Sequence, residues 1–118
     1  MKDCIFCEIA KEKTNREKIY ENKDFFSILD ANPVMEGHSL VIPKKHHETS
    51  LDLPNELGPN FLDCVKKTAK KLMEKYNASG FNILNNNFEI AGQVVNHLHF
   101  HIMPRKEGDN VKGTLLWG

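Results

Sequence analysis

His97-Leu98-His99-Phe100-His101-Ile102-Met103 alternates imidazole with apolar side chains near the end of a chain of 118 residues. Successive residues of a strand point to opposite faces, so a strand over Asn96 to Met103 would carry His97, His99 and His101 on one face, roughly 6.5 Å apart. Leu98, Phe100 and Ile102 would enter a core on the other. One or two histidines in such a place read as a solvated face; three in strict alternation line the edge of a site. Three ligands for one catalytic metal are one chemical reading. The preceding segment argues for another, because Asn85, Asn86, Asn87, Gly92 and Gln93 offer neutral amides and flexible backbone suited to phosphate oxygens and sugar hydroxyls, with no carboxylate-rich cluster to activate water.

Working outward, Leu57, Phe61, Val65, Ala69, Leu72 and Tyr76 recur at three- and four-residue spacing and predict one long amphipathic helix over Asn55 to Tyr76. Its stripe is expected to cover one face of a sheet, with Cys64 beside it as a small buried apolar residue. Lys18 to Tyr20, Phe25 to Leu29, His38 to Ile42 and Phe81 to Leu84 read as further short strands, and Asp3 can cap a short helix over Cys4 to Lys11. The expected architecture is α+β: a mainly antiparallel five-stranded sheet, a short N-terminal helix and one long helix, in a single domain over residues 1–118. Lysine plus arginine and aspartate plus glutamate each number 16, so no net field is available for nucleic acid or a membrane surface, and a phosphate would have to be gripped locally. With no export signal and three cysteines, an odd number, the chain reads as cytoplasmic and without a disulfide framework.

The triad, preceded by Ala91-Gly92-Gln93, resembles the signature of the histidine triad (HIT) nucleotide hydrolases and transferases. Cys4-Ile5-Phe6-Cys7-Glu8-Ile9, Ile28-Leu29-Asp30-Ala31-Asn32-Pro33 and Gly37-His38-Ser39-Leu40-Val41-Ile42-Pro43-Lys44 match the same family in the expected order. The chain length resembles its small phosphoramidase (Hint-like) branch. That resemblance implies attack by His99 on the α-phosphate of a purine nucleotide conjugate, a phosphoramidate, dinucleoside polyphosphate or related adenylate, through a covalent nucleotidyl-histidine. A hydrogen bond from the other ring nitrogen of His99 to a backbone carbonyl would set its tautomer. His101 and His38 would face the phosphate oxygens, Asn86 and Gln93 would complete that cradle, and His97 would complete the triad. Asp30 would hold the ribose hydroxyls, and Ile5, Phe6, Ile9, Ile28 and Leu40 would form an apolar slot for the base. Family members are typically two-fold homodimers, and Leu62 and Met73 flank the helical stripe as if a second surface needs covering. Phe88 and Val94 depart from the branch, which usually has glycine and serine or threonine there, and bear on the leaving group. The alternative is a nucleotide-binding sensor or partner protein with negligible turnover.

Cys4 and Cys7, two residues apart at a helix start, suit a zinc site or a thioredoxin-like redox pair, and the spacing alone does not separate them. The resemblance does. A subset of HIT proteins carries this pair with a histidine after the Pro-Lys of the third strand, which implies one structural zinc per chain held by Cys4, Cys7, His46 and His97. His47 is an adjacent competitor for His46.

Overall fold

The computed structural model describes residues 4–12, 16–109 and 111. Five antiparallel strands form one sheet: β1 (Tyr20–Glu21), β2 (Phe25–Leu29), β3 (Ser39–Pro43), β4 (Gly80–Leu84) and β5 (Phe100–Arg105), in the order β1-β2-β3-β5-β4. Helix α1 (Ile5–Ala10) lies against one face and helix α2 (Gly58–Tyr76) against the other. The expected α+β class is therefore observed. Asp3 as the cap of α1 lies outside the described residues, and Cys4 occupies the N-cap without a side-chain capping bond.

Two cores follow from strand alternation. Phe25, Val41, Phe100 and Ile102 point toward α2, where they bury Cys64, Val65, Ala69 and Leu72. Phe26, Ile28, Leu40 and Ile42 point the other way and pack on Phe6 and Ile9 of α1. Because both faces are covered, every residue of β3 is buried, and after Ser39 the strand reads as an unbroken apolar run, Leu40 to Pro43, rather than an alternation. The long helix covers one face, as expected, and the short α1 closes the second.

Most element ends fall within one or two residues of expectation, with β1 at Tyr20–Glu21 rather than Lys18 to Tyr20; the starts of the long helix and of the final strand differ by more, each for a local reason. The long helix begins at Gly58, with Pro59 in its first turn, while Asn55–Leu57 form a separate 3-10 turn behind Pro54. The final strand begins at Phe100 rather than Asn96. Its ladder with β3 pairs Val41 with Phe100 and stops short of Pro43, which has no N–H to donate. His97 and His99 thus sit in the irregular segment that leads into β5, and His101 within the strand. Sidedness survives the loss of the ladder. Leu98 still enters the α2 core, while Phe6 of α1 meets the rings of His97 and His99 edge-on, with centroids 5.7 and 5.3 Å away.

Gly37 fixes the turn before β3. Its φ is +86°, and a Cβ there would lie 2.7 Å from the Tyr76 ring, so the chain can pass into His38 only with no side chain.

Candidate active site and metal centre

His99 donates from Nδ1 to the His97 carbonyl at 2.8 Å, which leaves the basic lone pair on Nε2. Burial of the ring to 8% exposure and the edge of Phe6 hold it in place. The carbonyl of His99 in turn accepts from the side chain of Asn85 at 3.0 Å, where a continued β4 ladder would otherwise have run.

A second chain of bonds orients the neighbouring histidines. The backbone N–H of Val34 donates to His38 Nδ1 at 3.1 Å, so a neutral His38 carries its proton on Nε2. That Nε2 donates to His101 Nδ1 at 2.8 Å, which places the proton of His101 on its own Nε2. Both rings are held neutral. Burial, helped by the neighbouring His99 and His38, pushes the His101 imidazole down to about 4, and burial lowers His38 against the opposing pull of Asp30. The Asp30 carboxylate lies 3.5 Å from His38 Nε2, and its other oxygen accepts from the Asn32 N–H at 2.9 Å. The structure therefore gathers His99, His101, His38 and Asp30 at one place. Val34, whose N–H begins the chain, carries no sequence signal: a backbone donor in a turn is invisible in residue types.

The loop between β4 and β5 is tied down rather than free. Gln93 Oε1 accepts from the Phe88 N–H at 2.7 Å, and its Nε2 donates to the carbonyls of Glu48 at 2.6 Å and Val95 at 3.0 Å. Both amide hydrogens are thus engaged by backbone carbonyls, one in the segment after β3 and one within the loop, so Gln93 ties the two together. Asn86 lies beside Gly92, whose added Cβ would stand 3.5 Å from the Asn86 amide nitrogen. Asn87 bridges the loop to the Ser50 N–H and to Asn85, at 2.8 and 2.6 Å. The expected base slot differs in part. Phe6, Ile9, Ile28 and Leu40 are 6%, 2%, 0% and 5% exposed and belong to the α1 core, so they stand behind the surface; Ile5, 45% exposed, remains at it.

Behind the triad, Cys4, Cys7, His46 and His97 bring their ligand atoms within 4.8 Å of one another. Cys4 Sγ and Cys7 Sγ stand 3.3 and 3.5 Å from His97 Nδ1, and Cys7 Sγ stands 3.3 Å from His46 Nδ1. A tetrahedral zinc with bonds of about 2.3 Å to sulfur and 2.0 Å to nitrogen separates a sulfur from a nitrogen by roughly 3.5 Å, which these three sulfur–nitrogen distances match. His97 Nε2 donates to the Pro43 carbonyl at 2.8 Å, which turns its Nδ1 lone pair toward the sulfurs, as the outer partner of a ligating histidine does. The same proline that ends the β3 ladder thus orients this ring. Between His46 and His47, the geometry selects His46: His47 has a buried Nε2 without a hydrogen-bond partner, and its carbonyl accepts from Leu98. Burial and the adjacent Cys4 push the Cys7 thiol up, and burial pushes the His97 ring down to about 4, so the pocket favours neutral donors until a cation enters. Cys64 is fully buried in the α2 core with its thiol pushed up to about 11, the state of an inert packing group.

The HIT domain family model matches residues 11–108. A HIT-like protein of Methanocaldococcus jannaschii is 46% identical over 90% of this chain and 81% of its own. An adenosine 5'-monophosphoramidase of Candida albicans is 40% identical over 88% of this chain and 71% of its own. Among solved structures, a zinc-bound histidine triad family protein of Mycobacterium smegmatis superposes with a TM-score of 0.86 at 36% identity, over 94% of this chain and 81% of its own.

Proposed function

The chain belongs to the HIT domain family, and on that premise we propose that it hydrolyses purine nucleotide conjugates at the α-phosphate through a nucleotidyl-His99 intermediate. The observation that carries this reading is the bond from His99 Nδ1 to the His97 carbonyl, which directs the Nε2 lone pair away from the backbone and supports the ring as positive charge develops on it. Nε2 forms the bond to phosphorus, and the leaving group departs with its bonding pair and takes a proton from solvent. Water then forms the new P–O bond, gives its proton to solvent, and returns the P–N pair to His99. Through the bond from His38, His101 presents an Nε2–H as a neutral donor toward a phosphate oxygen, where negative charge is concentrated in the pentacoordinate state. Asn86 adds an amide on the same side, Gln93 holds the loop, Asp30 takes the ribose hydroxyls, and the base rests on Ile5, over Phe6, Ile9, Ile28 and Leu40.

Zinc is proposed at Cys4, Cys7, His46 and His97. It supplies a structural cross-link, joining α1 to the segment that carries His99, and takes no part in the reaction.

The test is a panel of nucleoside phosphoramidates, dinucleoside polyphosphates and aminoacyl or sulfate adenylates, with the covalent enzyme trapped in acid and weighed. A mass increase of one nucleotidyl group on wild type is expected, absent in His99→Gly, whose turnover should be lost with the fold retained. Near wild-type turnover in that variant overturns the mechanism.

A further inference from the structure

On the α2 face of the sheet, opposite the histidines, the turn of chain before β1 and the C-terminal half of α2 enclose a cleft of about 350 Å³. Its floor is apolar, built from Ile19, Leu29, Leu72 and Tyr76. Its rim is cationic, carrying Arg16, Lys18, Lys71 and Lys75 against the single carboxylate of Glu17. In a chain with 16 charges of each sign this is a local excess.

The partners of these cations separate the fixed from the available charge. Lys18 is neutralised by Glu12 and Glu21, at 3.6 and 3.4 Å. Arg16 donates to the Leu29 carbonyl, which anchors the guanidinium at the mouth. Lys71 donates to the Ile19 carbonyl at 3.0 Å, and Lys75 lies over the Tyr76 ring, 5.5 Å from its centroid. A carbonyl and an aromatic ring orient an ammonium but leave its charge uncancelled. Lys75 also sits in the last turn of α2, where it offsets the negative end of the helix; Lys71, one turn earlier, has no such duty.

We propose that this cleft binds an organic phosphate: a phosphate monoester whose apolar or aromatic group lies on Ile19, Leu29, Leu72 and Tyr76 while its phosphate meets Lys71 and Lys75. Ligand sites commonly start near 300 Å³ and pair an apolar lining with a few oriented polar groups, and this cleft has both. An inorganic anion would use the rim and waste the floor; an uncharged ring would do the reverse. The site is separate from the histidines, so its occupancy does not depend on turnover at His99.

Residue-resolved NMR of the full chain tests it, with adenosine 5'-monophosphate, inorganic phosphate and adenosine as separate probes and sodium chloride of matched ionic strength as control. Adenosine 5'-monophosphate should give saturable shifts at the amides of Ile19, Lys71, Leu72 and Lys75, phosphate alone should bind there at least roughly tenfold more weakly, and adenosine alone should not bind measurably. Lys71→Gln combined with Lys75→Gln should abolish these shifts in a chain whose other amide resonances stay at their wild-type positions, and the single Lys71→Gln should weaken binding by roughly tenfold, the loss of one charge-assisted contact. Failure at His99 would leave these α2 shifts in place, so the two readings fail separately. Shifts reproduced by sodium chloride, equal affinity for phosphate and the nucleotide, or shifts unchanged in the double variant would each overturn the site.

Discussion

Single residues set the chemistry here through which nitrogen carries a proton. Nothing about His38, His99 or His101 as residue types distinguishes Nδ1 from Nε2; two backbone partners do so, the His97 carbonyl for His99 and the Val34 N–H for His38 and, relayed through it, for His101. Val94 is the complementary case, a residue whose importance lies in the group it lacks. It is 89% exposed and lines a cleft of about 310 Å³ with Phe88, Glu48 and Asn96, beside the tethered Gln93. An amine leaves phosphorus poorly unless its nitrogen is protonated or hydrogen-bonded as the bond breaks, and valine offers no hydroxyl. Val94→Ser should therefore raise kcat/KM for amine phosphoramidates by roughly tenfold, about 1.4 kcal/mol, while activated adenylates change little. Steady-state kinetics on both substrate classes checks this, and an equal gain on the two would point to a general effect on the cleft.

At the scale of elements, the loop between β4 and β5 combines strain with anchoring. Phe88 adopts φ +74° and ψ 154°, a region that glycine occupies freely and a side chain enters only at a cost of order 1–3 kcal/mol. Its N–H bond to Gln93 holds it there, and its ring is half exposed, so little packing offsets the strain. Phe88→Gly should stabilise the fold by about 1 kcal/mol after the added unfolded-state entropy of glycine, read as a raised Tm; a fall in Tm would show that the ring packs in solution. Helix α1 presents the opposite balance. With six residues it is too short to be stable by itself, and it reaches the sheet through Phe6 and Ile9 and through the cysteines beside His97. Purified protein should hold close to one zinc per chain by mass spectrometry, and Cys4→Ser or Cys7→Ser should lose the metal and lower Tm by several degrees, with less effect on the turnover of molecules that stay folded. Unchanged melting on chelation would remove the cross-link.

For the molecule as a whole, the sheet has unlike edges. β1 is closed over by α2 contacts such as that from Lys71 to the Ile19 carbonyl, whereas β4 forms an open edge strand with Phe81 and Ile83 at 40% and 52% exposure. Leu62 on the flank of α2 is 54% exposed as well. An edge strand bearing apolar side chains invites a second copy, and a two-fold axis lets the same patch cover itself. A homodimer through β4 and α2 is expected at micromolar concentration, and Ile83→Lys with Leu62→Lys should shift sedimentation to the monomer. A wild-type monomer would rule this interface out. Among the described residues no helix is long and apolar enough to cross a membrane.

Periodicity alone determined the element types: β2 falls on Phe25–Leu29 as expected, and α2 ends at Tyr76 with its stripe inward, because both patterns are local and repeat over several residues. Alternation likewise separated Leu98 from His97 and His99 before any ladder was known. Motif resemblance supplied the cysteine and histidine set, which the structure brings into contact across 93 residues of chain. Tertiary structure decided what depends on partners far apart in sequence. The ladder of β5 stops short of Pro43, whose carbonyl is thereby available to orient His97; His46 rather than its neighbour faces the sulfurs; Gln93 spends its amide on the backbone carbonyls of Glu48 and Val95; and Ile9 and Ile28 withdraw into a core that α1 creates. A side chain's type states what it can bond or bury, but its partners are chosen by the packing of the whole sheet, and that choice exists only once the chain has folded.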